Sequence, residues 1–500
     1  MDYQAFVHGE KTLLIAPAGY GKTHTIVECL KYTANRQLIL THTHAGVASI
    51  KEKIRNANIG SSRYNVETIS SFAQKYVNSF YIGTDTPSQD NPKEYHPFII
   101  NKATAIFKCN SIKDVLKATY AGLFVDEYQD CTKLQHEFIV ALSESLNTHI
   151  LGDPLQGIFN FNGDLVDLDT DLSTFVRMPD LSTPYRWQQD GNNSDLGNKL
   201  KEIRSLIEQK KAIDFSSIDI EGLNIINITS DDYRNPRSEY RKSLNKLISN
   251  PGNNPDFDSL LIIVPEYEEV SRNGKTIPKG SILDRAQIRI EIDYSKSLTL
   301  LEAIDDRSFY SLSKKIDDLN ISIKRARKPI NKIRKDILEK IFYKSILNDW
   351  FNENGIKNKR NDTDKIIAGS LSKIIGYYIS NPQCENMNNI ILAIKNSLNA
   401  KYKREGLLSA ILKATKQASL EEISVYEAMK NNRNMIRKYG RKIKGKCIGT
   451  TLLTKGLEFD TVAILDAHKF DDPKHFYVAL TRCCKNLFIF SSQSTLSPYK

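Results

Sequence analysis

The stretch Ala16-Pro17-Ala18-Gly19-Tyr20-Gly21-Lys22-Thr23 sits between an apolar run at Leu13–Ile15 and a helix-like run at Thr25–Lys31. Glycines at 19 and 21 let backbone N–H groups curl around phosphate oxygens at a helix start. Lys22 then reaches the terminal phosphates, and the Thr23 hydroxyl suits Mg²⁺. Ala16 stands where such a P-loop usually has its first glycine. The plain alternative is a glycine-bearing turn that happens to precede a helix, and the position between strand and helix argues against it. Phosphate chemistry also needs a second metal ligand and a base. The next apolar run that ends in acids is Gly122–Val125, followed by Asp126 and Glu127. Asp126 suits Mg²⁺, and Glu127 is placed to orient or deprotonate an attacking water. Alone, such a pair is often only a helix cap. With a P-loop upstream, it reads as the hydrolytic half of an ATP site.

The chain continues Val125-Asp126-Glu127-Tyr128-Gln129-Asp130, with Gln135 shortly after. This resembles motif II of the superfamily 1 helicases of the UvrD/Rep type, and the other motifs of that family follow in order. Thr41-His42-Thr43-His44-Ala45 resembles motif Ia, and Thr68-Ile69-Ser70-Ser71-Phe72 motif Ic. Gly152-Asp153-Pro154-Leu155-Gln156-Gly157-Ile158-Phe159 resembles motif III, and Pro184-Tyr185-Arg186 motif IV. Thr454-Lys455-Gly456-Leu457-Glu458-Phe459 resembles motif V, and Tyr477-Val478-Ala479-Leu480-Thr481-Arg482 motif VI. The ordered series spans nearly the whole chain, which makes the resemblance specific.

The resemblance implies a role at each matched position. Gln4 would read the adenine edge, Tyr185 would stack on the base, and Glu458, beside Gly456, would hold the ribose. Gln156 would sense the γ-phosphate, while Arg186 and Arg482 would neutralise charge on it as arginine fingers do. Thr41, Thr43, Ser70 and Phe72 would line a groove for single-stranded DNA, and Phe161 would offer a flat face to a base. The HxH of His42 and His44 lacks a third ligand at fixed spacing, so a groove or packing role is preferred to a metal. Motif III here continues Phe161-Asn162-Gly163-Asp164, without the family's usual arginine. Ser70 and Leu452 stand where histidines are common.

These residues need strands to carry them. Apolar runs at Leu13–Ile15, Leu38–Leu40, Gly122–Val125 and Ile150–Leu151 have the spacing of a buried parallel sheet. A second set, at Leu260–Val264, Cys447–Thr450, Thr461–Leu465 and Leu487–Phe490, predicts another. Between about Leu300 and Lys444 the pattern is helical, at Ile330–Trp350 and Leu407–Gln417. Polar loops are expected at Asn352–Asp364 and Asn381–Asn389, and a linker at Ser249–Ser259. The expected fold is α/β: two RecA-like P-loop lobes with parallel sheets, each carrying a helical insertion. The first lobe takes residues 1–75 and 119–183, with a small insertion at 76–118. The second takes 184–299 and 445–500, with a basic insertion at 300–444.

Composition agrees with this reading. The 500 residues hold 70 basic and 59 acidic side chains, a formal charge of +11, which favours a polyanionic partner. Lys324, Arg325, Arg327, Lys328, Lys332, Arg334 and Lys335 form one acid-free run. Arg433, Arg437, Lys438, Arg441, Lys442, Lys444 and Lys446 form a second. Phosphate contacts are preferred there to a merely solvated face or a protein-docking face. The seven cysteines form no CxxC, so reduced thiols are expected, with Cys483 and Cys484 packed by a helix. No apolar run is long enough for a membrane span, and no signal peptide opens the chain, so a cytoplasmic protein is expected.

The function that follows is a DNA-dependent ATPase using ATP and Mg²⁺; the resemblance implies movement 3′ to 5′ on single-stranded DNA, with or without unwinding of duplex, in DNA repair or antiphage defence. The alternative is an ATP-driven sensor of DNA ends. The chain's compactness resembles the helicase-like B subunit of Gabija-type antiphage systems, which implies an OLD-type nuclease as partner.

Overall fold

In the computed structural model, the described residues are 1–500 apart from 90, 160–162, 190, 230–234, 236, 250–258, 266–269, 273–274, 278–296, 302–305, 440–444 and 500. The side chains of 45, 270–272, 275–277 and 437–439 are likewise outside the described set, as is most of the linker expected at 249–259. The chain divides into two compact units, Met1–Leu301 with Gly440–Lys500, and Glu302–Tyr439.

The larger unit is built on two six-stranded sheets. Strands β1 (Lys11–Ile15), β2 (Gln37–Thr41), β3 (Tyr64–Thr68), β4 (Gly122–Val125), β5 (Asn147–Gly152) and β6 (Val176–Arg177) lie in the order β3-β2-β4-β5-β1-β6, every neighbouring pair parallel. The central strands are apolar throughout because both faces are covered. One face carries helices α1 (Tyr3–His8), α2 (Lys22–Tyr32) and α3 (His44–Asn56), with Phe6, Ile26 and Ile50 in the seam. The other carries α4 (Ile69–Phe80), α5 (Pro92–Phe107), α6 (Asn110–Thr119) and α7 (Lys133–Ser143). The segment expected as a small insertion is mostly α5 and α6, whose Tyr95, Ile99, Phe107 and Leu116 share one core with Leu13 and Val125 of the sheet.

The second sheet comprises β7 (Leu223–Asn227), β8 (Leu260–Val264), β9 (Thr299–Leu300), β10 (Lys446–Thr450), β11 (Phe459–Ile464) and β12 (Cys483–Ser491), ordered β9-β10-β8-β11-β12-β7 and again parallel. The apolar runs foresaw the central strands of both sheets. They missed the edge strands: β3 and β7 mix polar residues among apolar ones and are only partly buried, and β6 and β9 are two residues long. Cys483 and Cys484 open strand β12 instead of sitting in a helix. The preceding helix, Pro473–Leu480, stops at Thr481, and the Phe459 N–H then bonds the Arg482 carbonyl at 3.0 Å, starting the pairing with β11.

The second unit is helical with its own apolar core, drawn from Arg307–Ser322, Asp362–Ser380, Cys384–Ser397, Glu405–Glu421 and Val425–Tyr439. Two expectations fail here. The helix read at Ile330–Trp350 is broken into Pro329–Ile333, a π-helical turn Arg334–Leu338, Glu339–Ile341 and Lys344–Trp350, because Phe342 leaves the helix to bridge Tyr402. The loop read at Asn381–Asn389 is mostly helix. There Asn386 donates to the Asn381 carbonyl at 2.8 Å, and Asn388 to the Leu412 carbonyl at 2.8 Å, so polar side chains are bonded inside the fold instead of marking a loop. Among the described residues no helix is long and apolar enough to cross a membrane.

Candidate nucleotide site

The loop from β1 to α2 turns through Gly19 at φ 77° and Gly21 at φ 95°, a region that favours glycine. Gly21 precedes α2 with no side-chain cap, which leaves the helix's first N–H groups for a ligand. Lys22 is folded back, its Nζ donating to the Ala16 carbonyl at 2.9 Å and standing 4.0 Å from Glu127 Oε1. Glu127 follows β4 at φ 56°, and Gln129 Nε2 donates to its Oε2 at 2.5 Å.

The two adjacent carboxyls differ in proton affinity. Burial and then the neighbouring Glu127 push Asp126 up to about 7. Burial acts on Glu127 in the same direction, but Lys22, Lys455 and the Gln129 hydrogen bond outweigh it and hold Glu127 at about 2. Glu127 is therefore an anion, the form that a water-orienting base needs. Mg²⁺ fits the donor set: a buried carboxyl destabilised by a second one, with the Thr23 hydroxyl at the head of α2, is an all-oxygen site that a hard cation would relieve. Thr23 and Asp126 would hold the ion, and it would neutralise phosphate charge there.

From the second sheet, α8 (Tyr185–Gln188) and the end of the Pro473–Leu480 helix deliver the arginines. Arg186 donates to Glu458 Oε1 at 2.8 Å and also to the Thr481 carbonyl. Arg186, foremost, holds Glu458 down to about 2. Arg482 NH2 donates to Gln156 Oε1 at 3.2 Å, and burial followed by Arg186 lowers the guanidinium to about 10. Trp187 packs on the loop itself, since a Cβ at Gly19 would fall 2.5 Å from its ring.

These groups line one cavity of about 740 Å³. Its walls include Pro17, Ala18, Gly19, Gly21, Lys22, Thr23, Glu127, Gln156, Tyr185, Arg186, Gly456, Glu458 and Arg482. Asp126 lies just behind, 3% exposed. Ala16 is buried beneath the loop. Tyr20 and Tyr185 line an adjoining cavity of about 370 Å³ with Tyr3 and Ala5 of α1. Gln4 is exposed on α1 and lines neither cavity, while its neighbours Tyr3 and Ala5 border the smaller one.

Sequence reading assigned no role to four contributors. Lys53 of α3 lines the larger cavity. Lys455 bonds Asp130 and the Gln156 carbonyl, linking the motif V segment to motif II. Asp153 is fully buried and ion-paired with Arg204. The order of motifs hinted at Asp153 and Lys455. Nothing in the pattern of the helix holding Arg204 set that residue apart.

The expected strand-facing residues are mixed. Thr41 is buried, its Oγ1 having no hydrogen-bond partner among the described residues, and Thr43 caps α3 by accepting from the Gly46 N–H at 3.0 Å. Ser70 is half-buried on α4. Phe72 cannot meet a strand. It is 0% exposed, packed among Tyr76, Phe107, Tyr120 and Phe138, because it falls on the sheet-facing side of α4. Phe161 lies outside the described residues. His42 stacks on Phe159 at 5.3 Å, and burial, then Lys455, lowers it to about 4.

The basic runs also divide. Lys324, Arg325, Arg327, Lys328 and Lys335 are exposed. Arg334 pairs with Glu339, Arg433 packs its guanidinium 3.8 Å from the Phe309 ring centre, and Lys446 bonds the Ile248 carbonyl at 2.7 Å. Arg437, Lys438, Arg441, Lys442 and Lys444 lie outside the described side chains.

A protein-family profile described as an AAA domain matches residues 3–162. The Gabija protein GajB of Bacillus cereus is 32% identical over 153 residues, 28% of this chain and 27% of that protein. A probable DNA helicase II homolog of Mycoplasma genitalium is 21% identical over 457 residues, 85% of this chain and 62% of that protein. The chain thus spans less than two thirds of either relative. The crystal structure of arterivirus nonstructural protein 10 (helicase) overlaps 98% of this chain and 60% of its own at 9% identity, with a TM-score of 0.29. In sequence the chain is thus similar to GajB over its first part and to the helicase II homolog over most of its length, and the segments that resemble superfamily 1, UvrD/Rep-like motifs lie in order along two parallel sheets.

Proposed function

We propose that the protein is a DNA-dependent ATPase that moves 3′ to 5′ along single-stranded DNA and separates duplex ahead of it. The observation that carries this reading is the single cavity into which one sheet delivers Lys22, Glu127 and Gln156 while the other delivers Arg186 and Arg482. ATP would lie there with its phosphates on the loop. Glu127 takes the proton of the attacking water as the new bond to the γ-phosphorus forms and the β–γ bridging bond breaks, leaving ADP and phosphate. Lys22 and the two arginines neutralise the charge that develops. Because the cations come from both sheets, the bound triphosphate favours their approach and its loss relaxes them, so hydrolysis drives a cycle of closing and opening. The 3′-to-5′ direction rests on the motif resemblance.

Lys22→Ala and Glu127→Gln should each lower strand-stimulated hydrolysis by about 10²-fold or more. Robust turnover by either variant overturns the site assignment. Displacement of a labelled strand from 3′-tailed but not 5′-tailed duplex tests the direction.

The similarity to GajB over 153 residues favours a second reading, an ATP-driven sensor of DNA ends that activates an OLD-type nuclease. Hydrolysis without strand displacement, together with DNA cleavage that appears only when such a nuclease is added, would select it.

A further inference from the structure

Asp153 is fully buried, and its carboxylate is where the two sheets' residues meet around Gln156. Oδ2 accepts from the Ala18 N–H of the loop at 3.1 Å, from Gln156 Nε2 at 2.8 Å and from Arg204 NH1 at 3.0 Å. Oδ1 lies 2.9 Å from Arg204 NH2, which makes the pair bidentate. Arg204 belongs to α9 (Ser194–Glu208), which packs with the second sheet's core. Its NH1 also donates to the Tyr477 hydroxyl at 2.8 Å, and its Nε lies 2.9 Å from Glu208. Gln156 is thereby fixed at both ends, its amide nitrogen on Asp153 and its amide oxygen accepting from Arg482.

A buried ion pair is weak evidence for stability alone, since its desolvation offsets much of its attraction. This one has a directional role open to it. The Asp153 carboxyl, gripped by both prongs of the Arg204 guanidinium, presents Oδ2 to Gln156 and so dictates that the amide nitrogen faces it and the amide oxygen faces Arg482. We propose that Arg204 is a positioning residue of the hydrolytic step. Acting through Asp153, it sets Gln156 and the loop at Ala18 for the γ-phosphate once the second sheet's elements are in place. This rests on the ATPase reading of the same site.

The test compares Arg204→Gln, Arg204→Lys, Tyr477→Phe and Asp153→Asn in the full chain, measuring kcat and KM for ATP with and without single-stranded DNA. Arg204→Gln should lower strand-stimulated kcat about 10-fold while KM for ATP stays within about 2-fold. Arg204→Lys, keeping the charge but losing the fork, should fall between it and wild type. Tyr477→Phe should lose about 2- to 3-fold, and the double variant Asp153→Asn/Arg204→Gln should lose no more than the worse single one. Wild-type kcat in Arg204→Gln, a rise in KM alone, or additive losses overturns the proposal. If Arg204→Gln does not fold, Arg204→Lys decides: reduced kcat at unchanged KM supports the proposal and parity refutes it. Wild-type protein with no hydrolysis sensitive to Lys22→Ala would overturn the ATPase reading itself.

Discussion

Neighbouring carboxyls with opposite proton affinities, Asp126 and Glu127, show how much of the chemistry is set by surroundings that the residue letters do not carry. The sequence placed both beside a P-loop. The difference between them comes from Lys22, Lys455 and Gln129 collecting around Glu127. A buried histidine provides a test away from the site. His149 is 2% exposed, bonded to Thr12 at 2.9 Å and ringed by Phe6 and Phe124, and burial lowers it to about 4. The unfolded chain takes up this proton near 6.5 and the folded one only near 4. Its contribution is therefore present above pH 6.5 and is lost as pH falls between those values, by up to roughly 3 kcal/mol. Urea midpoints across pH 4–7 should show a drop that is smaller in His149→Gln, measured relative to each protein's own value at pH 7.

At the level of elements, the site depends on how α8 and α4 pack. Gly19 is at φ 77° with Trp187 of α8 where its Cβ would be. Gly19→Ala should therefore weaken ATP binding and lower stability by about 1–3 kcal/mol, from backbone strain and overpacking together, as read by nucleotide-dependent melting. Phe72 was expected at the strand groove because its motif is strand-facing in the family. The helical repeat of α4 turns it into the sheet's core instead. Phe72→Ala should cost about 3–5 kcal/mol in a denaturant titration. The folded variant should bind single-stranded DNA within about 2-fold of wild type, the spread expected of a residue that touches no ligand. Central strands were legible because continuous apolar runs mark them. Edges, the break at Phe342 and the helix containing Asn386 were not, because each is decided by what packs against it.

For the molecule as a whole, the charge of +11 is not one patch. Lys22, Arg186 and Arg482 line the larger cavity proposed for ATP, and Arg334 and Arg433 are turned into their own helical unit. Lys324, Arg325, Arg327, Lys328 and Lys335 remain exposed for a polyanion. If they meet phosphates, affinity for single-stranded DNA should fall steeply with salt, and replacing Lys324, Arg325 and Arg327 with glutamine should reduce the log–log slope by about 2. An unchanged slope would move the strand away from this face.

The sequence by itself determined the glycine-bearing loop between β1 and α2, the acidic pair after the fourth strand, the central strands and the order of the motifs. Backbone freedom at two glycines, continuous apolar runs and short-range spacing are local properties, written in neighbouring letters. Only the tertiary structure decided that Asp153 would pair with Arg204, that Lys455 would reach Asp130, and that Gln4 and Phe72 would face away from the ligands expected for them. The partners in those two pairs are separated by 51 and 325 residues. A long-range ion pair is selected by the packing that removes both charges from water together, and no local pattern encodes that.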